Sequence, residues 1–129
     1  MTKQNLKLLF VVAGLYDIIL GGVFLFFHDA IFGTLGMAPV GHPTYAQFPS
    51  LLVFIFGVMF MQISTNPVLY RPMIPYGMAM KAAFTGVAIW SFLSVGLPAL
   101  WIPVFVADLA FLILFFMAWS STAEGREVA

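Results

Sequence analysis

The chain has 129 residues, of which 63% are hydrophobic and only 8% are charged, and its formal net charge is zero. Soluble domains carry about 25% charged residues, so this composition and a mean hydropathy of +1.07 exclude an ordinary soluble domain. We predict an integral membrane protein with one transmembrane domain, 1–129. The zero net charge gives no indication of a nucleic-acid partner, and the lack of cysteine excludes disulfides and thiolate metal sites.

The first predicted helix, about 6–27, contains an apolar run long enough to cross a bilayer. Lys3 and Lys7 precede the run as in a signal peptide, but Asp17 interrupts it and no small-x-small cleavage site follows Phe27. We therefore predict an uncleaved first span. A charge at bilayer depth costs roughly 3 kcal/mol on insertion scales, so we expect Asp17 to face a partner or a hydrated cavity.

Three further apolar segments have the length of a span, at about 46–64, 72–95 and 98–120. Pro49 and Pro75 fall near the starts of two of them, where proline is tolerated. Because lipid offers no hydrogen-bond partner to the backbone, each span is predicted to be a helix. The predicted fold is all-α, an integral membrane antiparallel four-helix bundle.

The basic side chains at the loops and ends share one side of this bundle: Lys3, Lys7, Arg71 and Arg126. The connections on the opposite side, 28–45 and 96–97, contain no Lys or Arg. Since cytoplasmic loops carry the excess of basic residues, we predict that both termini are cytoplasmic. Within the outer connection, 29–35 is predicted to form a short interfacial helix.

Three charged residues lie inside the predicted spans: Asp17, Lys81 and Asp108. At 1.5 Å per residue, the two aspartates lie roughly 17 Å from the cytoplasmic ends of their helices and Lys81 roughly 13 Å. The flexible lysine stem extends its reach. We therefore predict that the three charges meet in one layer of the bundle.

Small and polar residues accompany these charges along the helices. One stripe of the first helix contains Gly14, Asp17, Gly21 and His28, and one stripe of the third contains Gly77, Lys81, Thr85 and Ala88. Such residues let neighbouring helices approach closely, so both stripes are predicted to face protein. Tyr16 and Thr85 are added to Asp17, Lys81 and Asp108 as candidate members of a ligand or proton site.

Two interpretations of the charged layer stay open. In the structural one, the lysine and the two aspartates pair, with one aspartate protonated, and set the helix register. In the functional one they bind a ligand or a proton, because ionisable groups inside membranes commonly mark functional sites. No catalytic residue, cofactor-binding motif or metal site is predicted; His28 and His42 have only Asp29 as a nearby acid.

Several short motifs resemble those of the DoxX-like small membrane proteins. The resemblance is based on the four short spans and on the following residues: Leu20-Gly21-Gly22, Phe26-Phe27, Leu35-Gly36, Pro39, Asp108-Leu109 and Phe111. The resemblance extends from Gly14 to Phe116. It implies a four-helix bundle in a bacterial cytoplasmic membrane and, as in some relatives, a place in a quinone-linked oxidoreductase complex.

Three functions are weighed for this chain. The first is an accessory or binding module for a partner protein or a small lipophile, without catalysis of its own. The second is a proton-coupled exporter, since small multidrug exporters also carry an essential carboxylate in helix one, where Asp17 lies. The third is a lipophile isomerase that uses Asp17 or Asp108 as an acid, as in sterol-isomerase-like bundles. Besides the lipid bilayer, a homo-oligomeric partner stays open.

Overall fold

The computed structural model describes residues 1–123, which form four α-helices and contain no β-strand. The helices are α1 (Lys3–Thr34), α2 (Thr44–Thr65), α3 (Ile74–Ser94) and α4 (Trp101–Ser121), with a short 3-10 turn at Arg71–Met73 before α3. The all-α class predicted from the sequence is therefore confirmed. Arg126, which contributed to the predicted orientation, lies outside the described residues.

Helix α1 is longer than the sequence predicts and is kinked. The Thr2 hydroxyl caps its start by accepting a hydrogen bond from the Asn5 amide at 3.0 Å. The backbone leaves helical geometry at Phe27, with φ −124° and ψ 16°, where the sequence predicts that the span ends. The helix then continues to Thr34, so the segment predicted as a short interfacial helix is helical but continues α1 after the kink. Gly36, with φ +68°, follows it in a conformation that favours glycine.

Of the helices within residues 1–123, three are long and apolar enough to cross a membrane: α1, α2 and α4. Helix α3 is 21 residues long but is not among them, whereas the sequence analysis predicted four spans. The reason is its composition, which includes many residues of low hydropathy: Pro75, Tyr76, Gly77, Lys81, Thr85, Gly86, Trp90, Ser91 and Ser94. Lys81 and Thr85 are nevertheless buried.

Helices α1 and α2 pack closely through glycines. A Cβ atom on Gly21 would lie 2.6 Å from the Ser50 carbonyl oxygen and 2.7 Å from the Phe54 amide nitrogen. A Cβ on Gly57 would lie 2.7 Å from the Ile18 amide nitrogen. The two backbones therefore leave no room for side chains at these points. The predicted stripes are confirmed as buried, at Gly14, Asp17, Gly21 and His28 in α1 and at Gly77, Lys81, Thr85 and Ala88 in α3.

An aromatic core lies where α1 begins and α4 ends. The ring of Phe115 stacks on Phe10 at a centroid distance of 5.1 Å and packs on Phe60 at 4.9 Å, which joins α4 to α1 and α2. All three rings are fully buried, as are Leu6 and Ile63 beside them. This core fills the half of the molecule that contains the start of α1 and the end of α4. The cavity described below lies in the other half.

Arg71 links the chain before α3 to the end of α4. Its Nε and Nη2 atoms donate hydrogen bonds to the carbonyl oxygen of Trp119 at 3.2 and 3.1 Å. Its guanidinium carbon also lies 4.4 Å from the centre of the Trp119 ring, within the range of a cation–π contact. The same carbonyl also accepts a hydrogen bond from the Thr122 hydroxyl at 3.2 Å, so two side chains satisfy it at the end of α4, where the helix backbone provides no donor.

Candidate ligand-binding site

The structure brings Asp17, Lys81 and Asp108 together in the middle of the molecule. The Nζ atom of Lys81 donates to Oδ1 and Oδ2 of Asp17 at 2.9 and 3.1 Å and to Oδ1 of Asp108 at 3.0 Å. The exposed fraction is 0% for Lys81, 1% for Asp17 and 4% for Asp108. We call these three residues the charged layer. Its burial explains the pairing, because an isolated charge would be strongly destabilising here.

Local sequence explains how the charges reach one another. Gly14 and Gly21 flank Asp17 and let α2 lie against α1. On α3, a Cβ atom at Gly77, one turn before Lys81, would lie 2.5 Å from Cε1 of Phe60. Small residues beside the charges therefore let α1 and α3 pack closely on α2, and the ammonium group of Lys81 reaches carboxylates on α1 and α4.

The charged layer has more acceptors than donors. A lysine ammonium has three N–H donors, and Nζ of Lys81 lies within hydrogen-bond distance of three carboxylate oxygens. The two carboxylates together have four oxygens, so one remains. It is Oδ2 of Asp108, which has no hydrogen-bond partner among residues 1–123 but retains accessible surface.

A cavity of about 340 Å³ lies directly against this layer. All four helices line it, together with Val40 of the connection between α1 and α2. Its walls are mainly apolar, with the aromatic side chains Phe24, Phe32, Tyr45, Phe84 and Trp101 and the aliphatic side chains Leu20, Val53, Met80 and Val104. Asp17 and Asp108 supply the charged groups of this lining. The cavity can therefore hold a small apolar molecule with one polar group at the carboxylates.

The other two predicted site residues lie beside the layer but not on the cavity wall. The Nζ atom of Lys81 is 5.4 Å from the centre of the Tyr16 ring, which packs in turn on Phe111. Thr85 is buried one turn after Lys81, and its Oγ1 atom has no hydrogen-bond partner among the described residues. Tyr16 and Thr85 thus surround the lysine, whereas Asp17 and Asp108 face the cavity.

Sequence reasoning missed most of the cavity wall. The sequence alone does not distinguish the phenylalanines that line the cavity from the others: Phe24 lines it, whereas Phe26, Phe27 and Phe116 are exposed and Phe115 belongs to the core. A signal for the α1 wall was present, because Asp17, Leu20, Gly21 and Phe24 follow helical i, i+3, i+4, i+7 spacing. The contributions of Phe84 and Trp101 depend on helix packing.

Comparison with known proteins gives no match: no protein-family model, no curated protein and no solved structure matches the chain. The DoxX-like resemblance is therefore neither supported nor refuted, and the quinone-linked complex that it implies stays a prediction. Within residues 1–123, no group of three or more His, Asp or Glu side chains is placed to hold a metal ion.

Proposed function

We propose that this chain is an inner-membrane protein whose helices cross the bilayer as an antiparallel four-helix bundle and bind a small lipophile, without catalysis of its own. The observation that carries the proposal is the position of the charged layer at the wall of an otherwise apolar cavity. Apolar walls with a few convergent polar groups are typical of small-molecule sites.

Membrane insertion is supported by the outer surface of the helices. Three helices have the length and hydropathy of a span, and large apolar side chains are exposed along the helices, including Ile19, Phe26, Ile55, Val87, Trp90, Phe92, Leu93 and Ile113. We propose that α3 is the fourth span, because its one charge, Lys81, is buried and paired with Asp17 and Asp108. The exposed apolar surface would then contact lipid rather than water.

The positive-inside rule assigns a side to the cavity. Lys3, Lys7 and Arg71 lie at the end where α1 begins and α3 begins, and that end becomes cytoplasmic. The cavity lies at the opposite end, beside the last part of α1 and the first parts of α2 and α4. The site proposed for the lipophile is therefore in the outer half of the bilayer.

A direct test is to identify what the protein retains from native membranes. The chain is purified from its own membranes in lipid nanodiscs, and bound small molecules are identified by mass spectrometry. Ala46→Phe is expected to fill the cavity, since Ala46 lines it. Ala82→Phe is the matched control, because Ala82 is exposed and is not part of the lining.

The expected result is a lipophile retained by the wild type and by Ala82→Phe but lost from Ala46→Phe. Equal retention in the two variants, or no retained lipophile in the wild type, contradicts the proposal. Analysis of the same purified sample also shows whether a partner protein or a quinone-linked complex co-purifies with the chain. The mass of the purified protein shows whether it forms homo-oligomers.

The exporter is a second candidate because Asp17 lies on the cavity wall, where a bound cation and a proton would compete for the same carboxylates. Substrate-stimulated proton flux in liposomes distinguishes it from a binding protein. Loss of that flux in Asp17→Asn would support the exporter. The isomerase is tested separately, by product formation from a sterol-like substrate.

A further inference from the structure

We propose that the cavity selects lipophiles that carry a protonated amine, and that Asp108 rather than Asp17 holds the amine. This inference rests on the proposed function and specifies the class of ligand. It starts from the unequal use of the two carboxylates. Both oxygens of Asp17 accept hydrogen bonds from Lys81, whereas Asp108 uses only Oδ1 for that contact.

The remaining oxygen, Oδ2 of Asp108, is in an unusual setting. The side chain of Asp108 is 5% exposed, and it lines the cavity. Oδ2 has no hydrogen-bond partner among residues 1–123, yet it retains accessible surface. Oδ2 is therefore an acceptor that no described residue uses, and a ligand in the cavity with an N–H or O–H donor could hydrogen-bond to it.

The charge balance favours a cationic donor. Two carboxylates and one ammonium leave one negative charge when both aspartates are ionised. Within residues 1–123, no Lys or Arg other than Lys81 lies near the cavity: Lys3, Lys7 and Arg71 belong to the opposite end of the molecule. One bound ammonium group makes the layer neutral, and its hydrogen bond to a carboxylate is roughly twice as strong as one between neutral groups.

The residues that line the cavity indicate the size and shape of the apolar part of the ligand. A cavity of about 340 Å³ is at the small end of the range for ligand sites. Its aromatic side chains, among them Phe24, Phe84 and Trp101, suit a compact ring or cage rather than a long chain. The aromatic faces also attract a cation. The inferred ligand is therefore a compact apolar amine.

The test compares three molecules with the same cage and different polar groups: 1-aminoadamantane, 1-hydroxyadamantane and adamantane-1-carboxylate. Binding is measured by isothermal titration calorimetry with the full chain in nanodiscs of zwitterionic phosphatidylcholine, and the heat of empty nanodiscs is subtracted. A charge-assisted hydrogen bond predicts that the amine binds about tenfold or more tightly than the alcohol. The carboxylate is expected to bind least tightly.

Asp108→Asn is the informative variant. Its amide oxygen can still accept from Lys81, but the negative charge is lost and an NH₂ donor replaces the free acceptor. We expect it to bind the alcohol and to lose the preference for the amine. Asp29→Asn is the matched control, because Asp29 is 79% exposed and is not part of the lining; it should keep the wild-type preference.

The outcomes separate this inference from the proposed function. If the wild type binds amine and alcohol equally, amine selection is wrong, while lipophile binding stands. If Asp108→Asn binds the alcohol and keeps the preference for the amine, the role of Asp108 is wrong. If the wild type binds none of the three molecules, the inference about a compact amine is contradicted, while lipophile binding is decided by the retention experiment. The wild-type comparison decides amine selection even if Asp108→Asn does not fold.

Discussion

The Nζ atom of Lys81 lies 2.9 Å from Oδ1 of Asp17, although 64 residues separate them in the chain. Both side chains are almost fully buried. Their contact joins α3 to α1, which otherwise pack mainly on different partners: α1 on α2 and α3 on α4. The ion pair, extended to α4 by Asp108, therefore links two helix pairs into one structure.

Removing the cation is expected to be costly. Lys81→Met leaves two buried carboxylates without their partner, and the free energy of unfolding should fall by roughly 3 kcal/mol, as for a broken buried pair. Adding Asp17→Asn should recover part of the loss, because it removes one of these acids. Unfolding in detergent measures the coupling in a double-mutant cycle. Lys7→Met, at an exposed lysine, is the control, and additive effects would show that the pair is not coupled.

Two adjacent glycines should respond differently to alanine. A Cβ at Gly21 would meet backbone atoms of α2, whereas nothing lies within 4 Å of a Cβ at Gly22. Gly21→Ala should destabilise the protein by about 1–3 kcal/mol through overpacking. Gly22→Ala should be neutral or stabilising by up to about 1 kcal/mol through helix propensity. Equal melting temperatures in detergent would contradict the close packing. Gly125, where the sequence predicts that a substitution by leucine is nearly silent, lies outside the described residues.

Adjacent phenylalanines in α4 provide a similar comparison. Phe115 is fully buried against Phe10 and Phe60, so Phe115→Ala should cost about 3–5 kcal/mol through lost burial and the cavity left behind. Phe116 is 57% exposed, and Phe116→Ala should cost far less in detergent. Thermal unfolding of the two variants compares their stabilities directly. A larger loss of stability for Phe116→Ala than for Phe115→Ala would contradict the burial of Phe115 in the core.

The contact between Arg71 and Trp119 should require the guanidinium group. A lysine keeps the charge but cannot make two parallel hydrogen bonds to one carbonyl while stacking on the ring. Arg71→Lys is therefore expected to lower the free energy of unfolding by about 1 kcal/mol, measured by denaturation in detergent. If Arg71→Lys has the stability of the wild type while Arg71→Ala is destabilised, a positive charge at this position is sufficient and the guanidinium group is not required.

The proposed orientation can be tested by cysteine labelling, since the chain has no native cysteine. His42→Cys, in the connection between α1 and α2, should react with a membrane-impermeant maleimide in intact cells. Leu69→Cys, exposed near the start of α3, should react only after permeabilisation. The reverse pattern would invert the proposed topology and place the cavity in the inner half of the bilayer.

The helices were predictable because their signals are local. Apolar runs, turn residues and the cost of unpaired backbone in lipid predict the helical class without tertiary information. The limits of that reasoning appear at α1, where the helix passes through the kink at Phe27 and reaches Thr34. They appear again at α3, which residues of low hydropathy, Lys81 among them, leave outside the helices that are apolar enough to cross a membrane.

By itself, the sequence determined that the protein is helical and that three charges within its apolar segments need partners, because charge, hydropathy and helical period are properties of short segments. Only the tertiary structure decided which carboxylate oxygen of Asp17 and Asp108 has no hydrogen bond to Lys81. The three hydrogen bonds of Lys81 join it to residues 64 and 27 positions away in the chain. It also decided where the cavity lies. Phe24, Phe84 and Trp101 come from three different helices, and the space between them depends on how closely glycines let the backbones approach, which no single segment specifies.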